Sequence, residues 1–390
     1  MMQRQKKHRN KMNYRKIRAI ISGGGTGGHI FPALSIANKL MELNPETEIL
    51  FVGADGRMEM EKVPAAGYRI VGLPVSGLQR KLTLSNLALP FKVIKSVRMA
   101  RKLIRSFKPD IAIGVGGYAS APLLWAAGQM GIPTLIQEQN GYAGLTNKIL
   151  GKKAKSICVA YEGMERFFPA DRIVMSGNPI RKEIVRADET MKAEAYGFYG
   201  LDPERKHIFI VGGSLGSGTL NNAVTAWIEE GCPGGDKVEV IWQCGKYYKA
   251  AMDAFMEKAK AEGKGGKCLE HIRHYDFITR MDLAYAAADI VVSRSGASSV
   301  SELCAAGKAV IFVPSPNVAE DHQTHNAMAL VSKDAAVMVK DQDARMTLMK
   351  TACSLLESPE KTARLEENIS KLALRDAAMT IADEVYRIIG

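Results

Sequence analysis

Apolar, β-branched runs of four to six residues recur along the chain, separated by stretches long enough for a helix. In the first half they fall at Ile17–Ser22, Ile49–Gly53, Ile70–Val75, Ile111–Val115, Thr134–Gln137, Ile157–Ala160 and Ile173–Ser176. In the second they fall at Ile208–Val211, Glu239–Gln243, Ile272–Tyr275, Ile290–Ser293 and Val310–Val313. Nearly continuous hydrophobicity is the mark of parallel strands covered on both faces, and helix-length spacers make βαβ units. The pattern breaks near Gly177–Glu183, where a Gly-Asn-Pro turn runs into a charged stretch. Each half opens alike: Ile20–Gly28 (IISGGGTGG) and Phe209–Gly218 (FIVGGSLGSG) are both a strand, a glycine-rich turn and then a helical pattern. An α/β fold of two Rossmann-like parallel-sheet domains facing a cleft is predicted, with both turns at the carboxyl ends of their sheets.

Length agrees with two domains, since 390 residues exceed one ordinary core. The boundaries expected are 17–180 and 181–370, after a polar, basic and frayed tail at 1–16. Six cysteines without a C-x-x-C pair suit reduced thiols better than disulfides or a zinc site. No apolar segment follows the basic N-terminus as a secretory signal would require. Ile111–Gln137 carries no charge, but its glycines and prolines punctuate it as strand, loop, helix and strand rather than a membrane span.

Charge changes the picture. Residues 1–180 hold 27 Lys and Arg against 11 Asp and Glu, a balance of +16; the remaining 26 against 30 give −4, and the two sum to the chain's +12. The first half therefore expects an anionic partner. Its densest segment, Leu73–Lys108, has nine basic residues and no acid, interleaved with apolar side chains. Leu78, Leu82, Phe91, Lys92, Lys95 and Arg98 are the candidate patch for an anionic membrane surface. Nucleic acid is not expected there, because the patch lacks an array of stacking aromatics.

Four constellations carry candidate chemistry. Gly23–Gly28 is formally G-x-G-x-x-G, so a dinucleotide-binding protein is one reading. That reading wants an acid about 20 residues on, and Asp55 lies too far along. The other reading uses bare N–H groups and a helix N-terminus to attract a diphosphate. His29, in the first turn of that helix, is either a general base or a histidine donating to a nearby carbonyl. Gly212–Gly216 repeats the cradle and adds the Ser214 hydroxyl. Ser293–Glu302 (SRSGASSVSE) opens a helix of small residues whose dipole suits a nucleotide diphosphate, with Glu302 placed to accept two hydrogen bonds from ribose hydroxyls. In Pro314–Ala327, Gln323 is a candidate sugar partner, while H-x-x-H without a third ligand is weak for zinc. Asp341-Gln342-Asp343 reads as a solvated loop far from any glycine turn.

In order, GGGTGGHIFPAL (Gly23–Leu34), VGGYASAP (Val115–Pro122), QEQNGYAGLTNK (Gln137–Lys148), SGNPIR (Ser176–Arg181), VGGSLG (Val211–Gly216), SRSGASSVSE and DHQTHNA (Asp321–Ala327) resemble the MurG-type bacterial glycosyltransferases. The resemblance runs from Arg18 to the C-terminus. It implies a GT-B fold, with residues 371–390 forming a helix that crosses back to the first domain. It implies transfer of N-acetylglucosamine from UDP-N-acetylglucosamine to lipid I, forming lipid II at the cytoplasmic face of the membrane, with no cofactor and no metal. By position, the backbone of Ile278 would read uracil, Glu302 the ribose, and Arg181 would lie on the nucleotide. Ser214 and Ala297, Ser298, Ser299, Val300 and Ser301 would hold the diphosphate. Asn140 and Gln323 would contact the donor sugar, Thr26, Gly27 and Gly28 the reacting groups, with His29 as base. Thr324 stands where the family often has a second glutamine, and the basic tail exceeds the family's usual start. The alternatives are a diacylglycerol glycosyltransferase of the same fold and an NAD-binding Rossmann protein.

Overall fold

The computed structural model describes residues 14–75, 89–213 and 215–390. The chain divides into two compact units, Met1–Ile180 with Arg375–Gly390, and Arg181–Leu374.

Unit 1 is built on seven parallel strands: β1 (Arg18–Gly23), β2 (Glu48–Ala54), β3 (Arg69–Leu73), β4 (Ile111–Gly116), β5 (Thr134–Glu138), β6 (Ser156–Val159) and β7 (Ile173–Met175). They lie in the order β3-β2-β1-β4-β5-β6-β7. Neighbouring residues of one strand enter opposite cores. Ile20 packs with Val52, Ala112, Leu123 and Ile136; Ile21 packs with Ile30, Phe51, Ile113 and Leu135 on the other face. A period-2 backbone buried on both sides has no polar face, which is why the strands read as unbroken apolar runs. Each such isoleucine contributes about 1.5–3 kcal/mol by burial, and truncation to alanine costs about 2–5 kcal/mol.

The last helix, Ala377–Ile389, returns to unit 1 and packs on the Gly27–Leu43 helix, burying Ile381, Ala382, Val385 and Tyr386. It also ties down the chain's beginning. Tyr14 donates to Asp383 (2.8 Å), Tyr386 donates to the Arg15 carbonyl (3.1 Å), and the two tyrosine rings meet edge-on at 5.1 Å. Of the tail expected to fray, residues 1–13 lie outside the described residues, whereas Tyr14 and Arg15 are held by the C-terminal helix.

Unit 2 has six parallel strands: β8 (Lys206–Val211), β9 (Val238–Gln243), β10 (Ile272–Tyr275), β11 (Ile290–Ser293), β12 (Ala309–Phe312) and β13 (Val337–Met338). Their order, β10-β9-β8-β11-β12-β13, repeats that of the first six strands of unit 1. β13 escapes sequence reading because two residues at a sheet edge carry no period. In both sheets the order reverses beside the first strand, between β1 and β4 and between β8 and β11. Ligands of open α/β sheets bind at the carboxyl ends of the strands flanking that reversal.

Candidate active site

In unit 1 the reversal brings two glycine turns together. Gly24 N–H donates to the Gly116 carbonyl (3.3 Å). A Cβ on Gly117, whose φ is +91°, would strike the Gly24 backbone, so only glycine permits this approach. Thr26 is the N-cap of the Gly27–Leu43 helix but makes no side-chain cap bond. His29 is half-buried in that helix's first turn. Its Nδ1 lies 3.0 Å from the Gly24 carbonyl, and its ring is so close to Gly116 that a Cβ there would fall 2.6 Å from Cδ2. A carbonyl can only accept, so Nδ1 carries a proton, and in the neutral ring the lone pair is then on Nε2. The two readings of His29 thus coexist: donating to a carbonyl leaves the imidazole in the tautomer that a base needs.

The turn is not bare. Gly25 N–H donates to Glu59 Oε2 (2.8 Å), and the same carboxylate takes Ala54 N–H through Oε1 (3.0 Å). Among the described residues, the N–H groups of Thr26, Gly27 and Gly28 are those the turn leaves without a protein acceptor. Glu59 is only 1% exposed. Sequence reading passed over it, because a glutamate opening a short helix looks like any first-turn acid.

Further along unit 1, Asn140 is fixed by buried Glu138, whose Oε1 accepts from the Asn140 N–H (3.0 Å) and amide (3.3 Å). Glu138 Oε2 accepts from Gly144 N–H (3.1 Å) and Asn147 (2.9 Å). One carboxylate thereby shapes the whole loop after β5.

In unit 2 a cation backs the equivalent turn. Arg294, just after β11, donates to the Ser217 hydroxyl through Nε (3.1 Å) and Nη2 (2.8 Å), to the Val313 carbonyl (2.8 Å), and to Asp341. Ser217 caps the Gly218–Glu229 helix that follows the turn, and Asp341 also accepts from Thr219 (3.2 Å). Asp341 was expected in a solvated loop far from any glycine turn; it is instead a strut behind one. The misreading came from sequence distance, since 122 positions separate Asp341 from Thr219. Ser214 lies outside the described residues.

The Ala297–Ala306 helix starts from Gly296, which supplies no cap, and ends at Gly307 with φ +65°. Ala297, Ser298 and Ser299 are partly exposed at its start, as is Ser301. Val300 is different: its side chain is in the core and its N–H donates to the Gly296 carbonyl (2.9 Å). It supports the helix start and has neither group to offer a diphosphate.

Glu302 is buried and holds Arg181 in a fork, Nε to Oε1 at 2.8 Å and Nη2 to Oε2 at 2.9 Å, with the Tyr285 hydroxyl donating at 3.4 Å. Burial works against the Arg181 charge, but hydrogen bonding and attraction to Glu302 outweigh it and raise its pKa. Burial first, and then Glu302, push the Tyr285 hydroxyl well above its ordinary value. A carboxylate has about four acceptor positions, and three are filled here. The expected pair of ribose hydrogen bonds is reduced to one unless Arg181 gives way. Arg181 is therefore brought to Glu302 itself, a link no spacing in the sequence suggests.

Ile278 is buried and its N–H donates to Gln243 Oε1 (2.9 Å), so of its backbone the carbonyl is the group left to offer. Gln323 accepts from Ser315 N–H through Oε1 (2.8 Å), so the amide N–H groups are what its side chain has left to donate. Its own carbonyl accepts from the Ser295 hydroxyl (2.8 Å), tying the start of the His322–Val331 helix to the turn after β11. Among the described residues no three His, Cys, Asp or Glu side chains gather as a metal set.

Of the basic segment, Leu78 and Leu82 lie outside the described residues. The Leu89–Phe107 helix buries Ser96, Ala100 and Ile104, while Phe91, Lys92, Val93, Ile94, Lys95 and Arg98 are exposed, Phe91 by 76%. The next two helices, packed in succession beside it, expose Trp125 and then Leu145 and Ile149, with Lys153 above the Trp125 ring at 5.6 Å. Those apolar positions went unnoticed in the sequence, where Trp125 among the buried Leu123, Leu124, Ala126 and Ala127 reads as one more core residue. Among the described residues no helix is long and apolar enough to cross a membrane.

Two Rossmann-like units with glycine turns and helix N-termini at their reversal points define a GT-B glycosyltransferase. The glycosyltransferase family 28 N-terminal domain matches residues 19–159 and the family's C-terminal domain matches residues 207–381, and the chain belongs to this family. It is 56% identical over 375 residues (96% of this chain, 99% of the relative) to the UDP-N-acetylglucosamine–N-acetylmuramyl-(pentapeptide) pyrophosphoryl-undecaprenol N-acetylglucosamine transferase of Parabacteroides distasonis. It is 53% identical to the protein of the same name from Bacteroides thetaiotaomicron, over 96% of this chain and 98% of that one. Among solved structures, Acinetobacter baumannii MurG matches with a TM-score of 0.76 and 26% identity, over 96% of this chain and all of that one.

Proposed function

We propose that the chain is an inverting hexosyltransferase that moves N-acetylglucosamine from UDP-N-acetylglucosamine to the 4-hydroxyl of the N-acetylmuramyl residue of lipid I, forming lipid II for peptidoglycan. The observation that carries this reading is the 56% identity, over nearly the full length of both chains, to a relative named for that transfer. The 4-hydroxyl oxygen attacks the anomeric carbon of the donor sugar as the bond from that carbon to the diphosphate oxygen breaks. His29 Nε2 takes the hydroxyl proton, and the charge on departing UDP is stabilised by N–H groups at the start of the Ala297–Ala306 helix and by Ser214. The Ile278 carbonyl meets uracil, Glu302 meets one ribose hydroxyl with Arg181 beside the nucleotide, and the Gln323 amide and Asn140 meet the sugar. Thr26, Gly27 and Gly28 offer their N–H groups to the reacting diphosphate or acceptor. Catalysis draws on no cofactor and no metal.

Phe91, Lys92, Lys95 and Arg98, joined by Trp125, Leu145 and Ile149, hold unit 1 against an anionic membrane surface, where the lipid acceptor resides. Aromatic and aliphatic side chains enter the headgroup layer while lysine and arginine pair with phosphates. The protein is then peripheral, on the cytoplasmic face.

UDP release measured with a soluble lipid I analogue tests the whole reading. Turnover dependent on that analogue is expected. Turnover with diacylglycerol instead, or binding of NAD in place of UDP, would replace it.

A further inference from the structure

One peptide group in unit 1 is gripped from both sides. The Gly24 carbonyl and the Gly25 N–H belong to the same planar amide, and in a trans peptide they point in opposite directions. The carbonyl accepts from His29 Nδ1 at 3.0 Å and the N–H donates to Glu59 Oε2 at 2.8 Å. Carboxylate, amide and imidazole thus form one chain of hydrogen bonds, all running the same way. The Glu59 end is anchored by Ala54 N–H at the end of β2, so both carboxylate oxygens act as acceptors. Gly24 and Gly53 make room for it: a Cβ on either would collide with the Glu59 side chain. The preceding amide is held too, Gly24 N–H donating to the Gly116 carbonyl.

We propose that Glu59 is a positioning residue for the transfer: acting through the Gly24–Gly25 amide, it fixes His29 in the Nδ1–H tautomer and strengthens Nε2 as the base. This rests on the function proposed above. An acid directly paired with a catalytic histidine sets its tautomer and supports the charge it acquires. Here the acid is one amide removed, and aligned hydrogen bonds polarise one another, so a carboxylate at one end makes the carbonyl at the other a better acceptor.

The test begins with the wild-type protein labelled with 15N in its histidine rings, the His29 signals being assigned by their loss in His29→Ala. Nδ1-protonated imidazole is expected at neutral pH; an Nε2-protonated ring would overturn the proposal without any Glu59 variant. Glu59→Gln keeps the size but loses the charge and sets an amide against one of two N–H donors. It should raise the Nε2–H population and lower kcat about tenfold, with UDP affinity and the KM for UDP-N-acetylglucosamine within twofold. An unchanged kcat, or KM and kcat falling together, would overturn it. In a His29→Ala background Glu59→Gln should have no further effect on kcat, since its influence passes through the ring; a full additional loss would mean Glu59 acts otherwise. If Glu59→Gln does not fold, the wild-type spectrum alone decides. If His29→Ala leaves turnover intact, the base assignment fails, while the tautomer still reports on the relay.

Discussion

The two glycine turns occupy the same topological place, after the first strand of each sheet, yet opposite charges stand behind them. Beneath Gly23–Gly28 is the Glu59 carboxylate, accepting Gly25 N–H. Behind Gly212–Gly216 is the Arg294 guanidinium, holding the Ser217 cap and itself paired with Asp341. Similar sequence motifs therefore serve unlike ends. A negative charge under a turn supports a group that must become positive during reaction; a positive one suits a turn that receives a diphosphate. On the function proposed above, the contrast fits base chemistry in unit 1 and nucleotide retention in unit 2.

The sharpest way to break this division is His29→Ala. A general base contributes roughly 10²- to 10⁴-fold, and kcat should fall by that order while calorimetric UDP affinity stays put. Equal losses in turnover and UDP binding would mean the two turns share one role. Glu302→Ala should do the converse. It removes an acceptor proposed to meet ribose and unpairs Arg181; a charge-assisted hydrogen bond is worth about 1.5–3 kcal/mol, so UDP should bind roughly 10- to 100-fold more weakly. Unaltered UDP affinity would remove Glu302 from the nucleotide site and leave its ion pair with Arg181 as a purely structural one.

The charge difference between the units reaches the surface as well. Lys92 stands exposed beside Phe91 on a helix with no acid in its sequence. Near an anionic membrane a basic side chain contributes about 1 kcal/mol, so Lys92→Gln should weaken binding to vesicles rich in anionic lipid by about fivefold and leave binding to neutral vesicles alone. Sedimentation with both vesicle types measures this. An equal effect on both, or none on either, would detach the patch from the membrane.

How much of this was legible follows from what sequence patterns encode. Strands such as Ile20-Ile21 announced themselves because both faces are buried, and Gly23–His29 and Ser293–Glu302 because turns and helix starts are local. Glu59, Arg294 and Asp341 were missed because each acts across the fold. A polar side chain that bonds a distant backbone or hydroxyl leaves no period and no local motif. That the Ile278 N–H is taken by Gln243, leaving only the carbonyl of that backbone, likewise appears only once the chain is folded. Sequence locates the turns; what stands behind them is tertiary.

Asp341 offers the finest discrimination. Within Asp341-Gln342-Asp343 it has the spacing of a metal-binding pair, but its oxygens take hydrogen bonds from Arg294 and Thr219. Asp341→Asn keeps an acceptor for one of these donors and loses the charge facing Arg294. Arg294 retains Ser217 and the Val313 carbonyl, so the turn should loosen only slightly. The expected change in UDP affinity is under about threefold, of the size of a partly exposed ion pair worth roughly 0.5 kcal/mol. It should be the same with magnesium or with a chelator present. A metal ligand behaves otherwise: the substitution would abolish a magnesium-dependent part of UDP binding and leave a metal-independent remainder. That outcome would turn the strut back into a ligand, and the second turn would then owe its affinity for diphosphate to a cation other than Arg294.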